Sequence, residues 1–270
     1  MEVRASDGTA LYAEAHGAGP PVVFSCAFAT THENWRLQVE PLVAAGHRVV
    51  LWDYRGHGLS GAPADPAAYS MEQVVDDLAS VLDAAAPGEP AVLAGLSFGG
   101  LASLHFALAH PARVRALALV GSGPGFKNPD AQARWQAQTE RTASFLETKG
   151  FSVFVERAGE TTVGRRGDLP AARRAAAAIA AQDGASVARF GRLVTGPAPG
   201  VIDRLAEIGC PALVLVGEDD KPFRRAAEVM ASKLANARYE VLAEAGHIVN
   251  IEASEPFNAL LLRFLEELDD

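Results

Sequence analysis

The chain has 270 residues, is 49% hydrophobic and carries a formal charge of −9 at neutral pH. That length and apolar content suit one large domain, or one domain with an insertion. The acidic balance argues against nucleic acid or an anionic membrane surface as partner, and no run of ~18 apolar residues reads as a membrane span.

The opening stretch MEVRASDGTALY lacks the apolar core of a signal peptide, so a cytoplasmic setting is expected. Two cysteines, Cys26 and Cys210, make no disulfide framework and agree with a reducing compartment. Asp7-Gly8, between EVRAS and TALYAEA, predicts a hairpin. Apolar runs follow at 21–25 (PVVFS), 48–53 (RVVLWD), 91–96 (AVLAGL), 115–121 (RALALVG), 212–217 (ALVLVG) and 238–243 (RYEVLA). Their unbroken Val/Leu content predicts buried parallel strands, with amphipathic helices between them. In SMEQVVDDLASVLDAAAP, Ser70 and Gln73 stand at capping-box spacing, and Pro87-Gly88 closes the helix. The expected fold is α/β: a mostly parallel, doubly wound sheet with an antiparallel N-terminal edge.

The strand rhythm stops between about 123 and 205. This segment is rich in Ala and Arg, reads as several helices and is too long for a simple connection. It is read as a helical cap, 123–205, inserted into a core of 1–122 and 206–270. The cap holds twelve Lys and Arg against eight Asp and Glu. A basic cap over an acidic body would suit an anionic substrate; a solvated, arginine-rich helix face is the plainer reading.

The chemistry centres on Gly95-Leu96-Ser97-Phe98-Gly99. A glycine-flanked serine between a strand and a helix has the form of a nucleophile elbow. The sharp turn strains the serine backbone, lifts the hydroxyl clear of the sheet and sets it at a helix N-terminus. A serine hydroxyl needs a base. His247, beyond the last predicted strand, lies on a loop at the carboxyl edge of the sheet. His57, in DYRGHGLS, precedes the serine and is read as turn-forming. A carboxylate must orient the base, and VGEDDKPF offers Glu218, Asp219 and Asp220. Asp220 is selected, with Asp219 second. The oxyanion donors expected are the backbone N–H of Phe98 and, from the loop after the first long strand, that of Phe28. Cys26 is read as a small buried residue, not a nucleophile. Phe28, Trp35, Phe126, Trp135, Phe145 and Phe151 are candidates for shaping a substrate pocket, with ordinary core packing as the alternative. No metal-ligand spacing and no dinucleotide fingerprint is present, so no cofactor is required.

With Ser97, Asp220 and His247 in that order, and with DYRGHGLSGAP, GLSFGG, VLVGEDD and AGHIVNIEASEPFN, the chain resembles the α/β-hydrolase superfamily over 1–122 and 206–270. The stretch from DYRGHGLS to GLSFGGLASLHFALAHPARV is most similar to the branch of 3-oxoadipate enol-lactonases and small esterases. The resemblance implies an α/β-hydrolase fold with a variable cap. It also implies a serine hydrolase that cleaves a small carboxylic ester or lactone through an acyl-enzyme, with a small-molecule substrate. Many members carry His-Gly before the oxyanion donor; here the pair is Cys26-Ala27, which leaves the shape of that loop open. The same serine site also fits C–C cleavage of a β-diketone, perhydrolysis or a step of a biosynthetic cluster. A ligand-binding protein on a retired scaffold is a third reading, against which the complete set of three residues argues.

Overall fold

In the computed structural model, which describes residues 1–268, the apolar runs join into one eight-stranded sheet. The strands are β1 (Glu2–Arg4), β2 (Ala10–His16), β3 (Pro21–Ser25), β4 (Arg48–Trp52), β5 (Ala91–Leu96), β6 (Val114–Val120), β7 (Ala212–Gly217) and β8 (Ala237–Leu242). Their spatial order is β1-β2-β4-β3-β5-β6-β7-β8. β1 and β2 pair antiparallel, as does β2 with β4, and all later pairs are parallel. The hairpin turns at Gly8, whose φ of 84° a side chain would resist. β3, β5 and β7 are buried along their whole length, as continuous apolar runs covered on both faces require. β8, expected to be buried as well, is the edge strand and buries only Leu242, because no further strand among the described residues covers its outer side.

Helices α1 (Arg36–Ala44), α2 (Met71–Ala85), α3 (Phe98–Ala109), α7 (Lys221–Lys233), α8 (Val249–Glu252) and α9 (Ser254–Glu266) belong to the sheet-bearing part of the chain. In α2, Met71, Val74, Val75, Leu78, Val81 and Leu82 form one buried stripe at helical spacing. Ser70 Oγ accepts from the Gln73 N–H at 3.1 Å, capping its first turn. Between β6 and β7 come α4 (Pro129–Thr162), α5 (Pro170–Ala180), α6 (Gly184–Phe190) and a π-helical turn over Gly191–Thr195. α4 is interrupted at Gly150, whose φ is 75°. No strand occurs in this segment among the described residues.

The chain runs from β3 to β4 on one side, then returns to β5 on the other. That reversal opens a crevice at the carboxyl ends of β3 and β5, where open α/β sheets place their ligands.

Candidate active site

Ser97 follows β5 directly and has φ 55° and ψ −113°, a conformation unfavourable for any residue with a Cβ. The neighbouring glycines make it attainable. A Cβ on Gly95 would collide with the Gly99 carbonyl, and one on Gly99 with the Ser25 carbonyl of β3. The turn is pinned by the Ser97 N–H donating to Val120 O at 2.8 Å and by Ser122 Oγ donating to Ser97 O at 2.6 Å.

The loops after β7 and β8 pack backbone to backbone. A Cβ on Gly217 would strike the carbonyls of Ala245 and Gly246, and the Asp219 N–H donates to Ala245 O at 2.9 Å. This close approach brings His247 Nδ1 within 2.8 Å of Asp220 Oδ2. Asp220 is 4% exposed, and the Phe223 ring stacks on the imidazole with centroids 4.7 Å apart. Asp219 points elsewhere, to Arg165 at 2.7 Å. No direct hydrogen bond joins the Ser97 hydroxyl to His247 among the described residues; such bonds are often long until a substrate lies between the partners.

Ser97, Asp220 and His247 open on one cavity of about 480 Å³. Ala27, Phe28 and Ala29 form its wall after β3, and Trp135, Gln138, Thr139, Thr142 and Phe154 form its roof from α4. The N–H groups of Phe28 and Phe98 serve no loop or turn carbonyl among the described residues. The left-handed residue of the loop after β3 is Ala29 (φ 64°), not Ala27. Both ends of Ala29 are held. Its N–H donates to His57 Nε2 at 3.3 Å, and its carbonyl accepts from Gln182 Nε2 at 3.2 Å. The other end of the Gln182 amide accepts from the Gly58 N–H at 3.0 Å. A backbone N–H can only donate, so His57 is neutral with its proton on Nδ1, 3.3 Å from Arg55 O. Burial agrees: it depresses the His57 pKa to about 4.

DYRGHGLS therefore divides its labour. Asp53 is buried, accepting from the His32 and Leu59 N–H groups at 2.8 and 3.0 Å. Arg55 is fully buried against Asp77. His57, read from the sequence as turn-forming, also holds the loop after β3 through the Ala29 N–H. Cys26 is fully buried, and burial pushes its thiol pKa far up, away from reactivity.

The aromatic candidates separate. Phe28 and Trp135 line the cavity. Trp35 does not: it is fully buried in the core between Phe24 and Phe257, with Nε1 donating to Ser25 O at 3.3 Å. Phe126 leans on Trp135 at the surface, Phe145 packs on Phe154, and Phe151 is buried beside Phe154, all outside the cavity lining. Phe154 and Phe223 were missed as lining residues. Phe223 was within reach, because it follows Asp220 by one turn at the start of α7. Of the basic residues in 123–205, Arg165 alone lines the cavity, and it is paired with Asp219 and Glu252. Arg192 is tied to Glu140 and Glu147, Arg166 to Asp168 and Arg189 to Pro63 O. The solvated, internally paired face prevails over the anion-attracting one.

A doubly wound sheet with an elbow serine and a histidine–carboxylate pair at its carboxyl edge is the architecture of the α/β hydrolases. The family model described as alpha/beta hydrolase fold matches residues 20–254, and the chain belongs to that family. It is similar to the 2-hydroxymuconate semialdehyde hydrolase of a Pseudomonas species, with 33% identity covering 94% of this chain and 86% of that protein. Among solved structures it is similar to the enol-lactonase of Burkholderia xenovorans (TM-score 0.82, 25% identity, 98% and 100% coverage). It is also similar to an esterase of Exiguobacterium antarcticum (TM-score 0.85, 25% identity, 98% and 99% coverage). The chain is an enzyme of this hydrolytic class, acting on ester-like bonds. No helix among the described residues is long and apolar enough to cross a membrane.

Proposed function

We propose that the protein is a serine hydrolase cleaving a small carboxylic ester or lactone through an acyl-enzyme. Ser97 Oγ attacks the substrate carbonyl while His247 takes its proton. Asp220 holds the imidazole in the useful tautomer and stabilises its cation. The N–H groups of Phe98 and Phe28 receive the oxyanion. His247 then protonates the leaving alkoxide, and water activated by the same imidazole releases the acid. Residues 123–205 act as a cap over a core of 1–122 and 206–270. The free thiols of Cys26 and Cys210 suit a reducing, cytoplasmic setting.

The observation that carries this reading is the strained Ser97, at φ 55°, sharing one cavity with a His247–Asp220 pair 2.8 Å apart. The test is turnover of an ester and lactone panel by wild type and Ser97→Ala, with fluorophosphonate labelling alongside. Wild type is expected to turn over esters or lactones and to label; the variant is expected to lose at least about 10⁴-fold in kcat and all labelling. Near-normal turnover by Ser97→Ala would overturn the mechanism, and turnover of diketones alone would overturn the substrate class.

A further inference from the structure

The charged lining of the cavity is unfavourable to an anion. Its formal charges are one guanidinium, Arg165, against three carboxylates: Glu160, Asp219 and Asp220. Arg165 is already engaged. Its Nε donates to Glu252 Oε2 at 2.9 Å, Nη1 to Asp219 Oδ2 at 2.7 Å and Nη2 to Glu244 O at 2.9 Å. Two carboxylates and a carbonyl thus satisfy the cation before any ligand arrives.

Of the neutral polar groups of the roof, Gln138 alone keeps a side-chain donor without an acceptor among the described residues, its Oε1 accepting from Arg141; the hydroxyls and the indole are committed in the same sense as Arg165. Thr139 Oγ1 donates to Trp135 O at 3.0 Å, and Thr142 Oγ1 to Gln138 O at 3.2 Å. Thr161 and Thr162 both donate to Ala158 O, at 3.1 and 2.9 Å. A carbonyl can only accept, so each of these hydroxyl protons points back into its own helix. What they offer a ligand is lone pairs. Trp135 Nε1 likewise donates to Thr195 O at 2.9 Å. A bound carboxylate would lose its hydration and meet one amide donor among acceptors and carboxylates in return, a net cost. The apolar part of the cavity, from Phe28, Trp135, Phe154 and Phe223, favours uncharged groups.

Resting on the ester or lactone reading above, we infer that the substrate carries no carboxylate in either its acyl or its alcohol part, and that the Arg165–Asp219 pair enforces this exclusion. Removing the Asp219 charge would leave Arg165 with spare positive charge at the cavity wall and relax the exclusion.

The test uses two aryl esters of equal length, the mono(4-nitrophenyl) ester of adipic acid and its terminal carboxamide. They match in size and polarity and differ in charge. For wild type at low salt, kcat/KM is expected to favour the carboxamide by about tenfold or more, and the ratio to shrink as salt screens the lining. In Asp219→Asn the ratio is expected to fall severalfold, each variant serving as its own reference. A ratio near one, or favouring the carboxylate, in wild type would overturn the exclusion while leaving the hydrolase reading intact. An unchanged ratio in Asp219→Asn would overturn the assignment to the Arg165 pair. Turnover of neither ester, nor of any other ester or lactone, would overturn the hydrolase reading and this inference with it.

Discussion

His57 shows how one side chain can carry a local conformation that the sequence motif only hints at. Ala29 sits at φ 64°, which costs a residue with a Cβ on the order of 1 kcal/mol, and the His57 ring and Gln182 hold it there. With the Phe28 N–H as an oxyanion donor, as proposed, His57→Ala should lower kcat about 10- to 100-fold with KM little changed, because loosening the loop after β3 weakens only the transition state. His57→Gln, whose amide oxygen can accept the same N–H, should recover part of the loss; steady-state kinetics of both variants checks this. The buried ring also gives a pH signature. Its pKa is about 4 when folded and near 6.5 when unfolded. Below pH 6.5 the unfolded chain takes up a proton that the folded chain refuses, so stability falls as pH drops toward 4, by about 3 kcal/mol in all. His32 works in the opposite direction: burial opposes its charge, but the Asp53 carboxylate outweighs burial and raises its pKa. Urea unfolding across pH 4–7 in wild type and His57→Gln isolates the His57 share, since the variant should lack it. Trp35 and Trp135 make a second residue-level contrast. Trp35→Ala should cost about 3–5 kcal/mol of stability through a core cavity. Trp135→Ala should instead change the substrate profile, read by the ester panel.

At the level of elements, the elbow depends on two backbones touching. α3 begins so close to the end of β3 that a Cβ on Gly99 would overlap the Ser25 carbonyl. Gly99→Ala must push α3 off the sheet or twist the elbow, at about 1–3 kcal/mol. A lowered melting temperature together with slower fluorophosphonate labelling of Ser97 is the expected outcome; either change without the other would separate packing from positioning. The β7 and β8 loops obey the same logic at Gly217, where backbone contact sets the distance between Asp220 and His247.

For the molecule as a whole, Arg55 joins distant parts of the chain. Its fully buried guanidinium donates to Asp77 of α2 at 2.7 and 2.6 Å, to Asp7 of the hairpin at 2.8 Å and to Ala68 O at 2.6 Å. Asp77→Ala would leave a buried cation short of its partner and should cost about 3–5 kcal/mol. The double variant Arg55→Met/Asp77→Leu should regain much of that stability in urea unfolding, because no uncompensated charge remains. Arg165 plays a comparable part between the helical segment and the loops after β7 and β8, but at the surface, where ion pairs are worth much less.

The amino-acid sequence by itself determined the sheet. Apolar runs favour strands, so their identity and nearly their ends were legible, with one-residue shifts at the end of β4 and at both ends of β6 and β8; that β8 lies half-buried at the sheet edge was not legible. It also located Ser97, Asp220 and His247 on loops at strand ends, because glycine spacing and strand-end acids are local signals. It could not sort Trp35 from Trp135, since an aromatic side chain reads alike whether it faces a core or a cavity. Nor could it find the clamp on Ala29 by Gln182, whose partners lie 153 residues apart. Only the tertiary structure decided that Arg166 and Arg192 pair with carboxylates of the same helical segment and that Arg165 is satisfied before a ligand enters. Periodicity and turn chemistry act between neighbours in the chain, whereas hydrogen-bond commitment depends on which groups folding brings within 3 Å of one another.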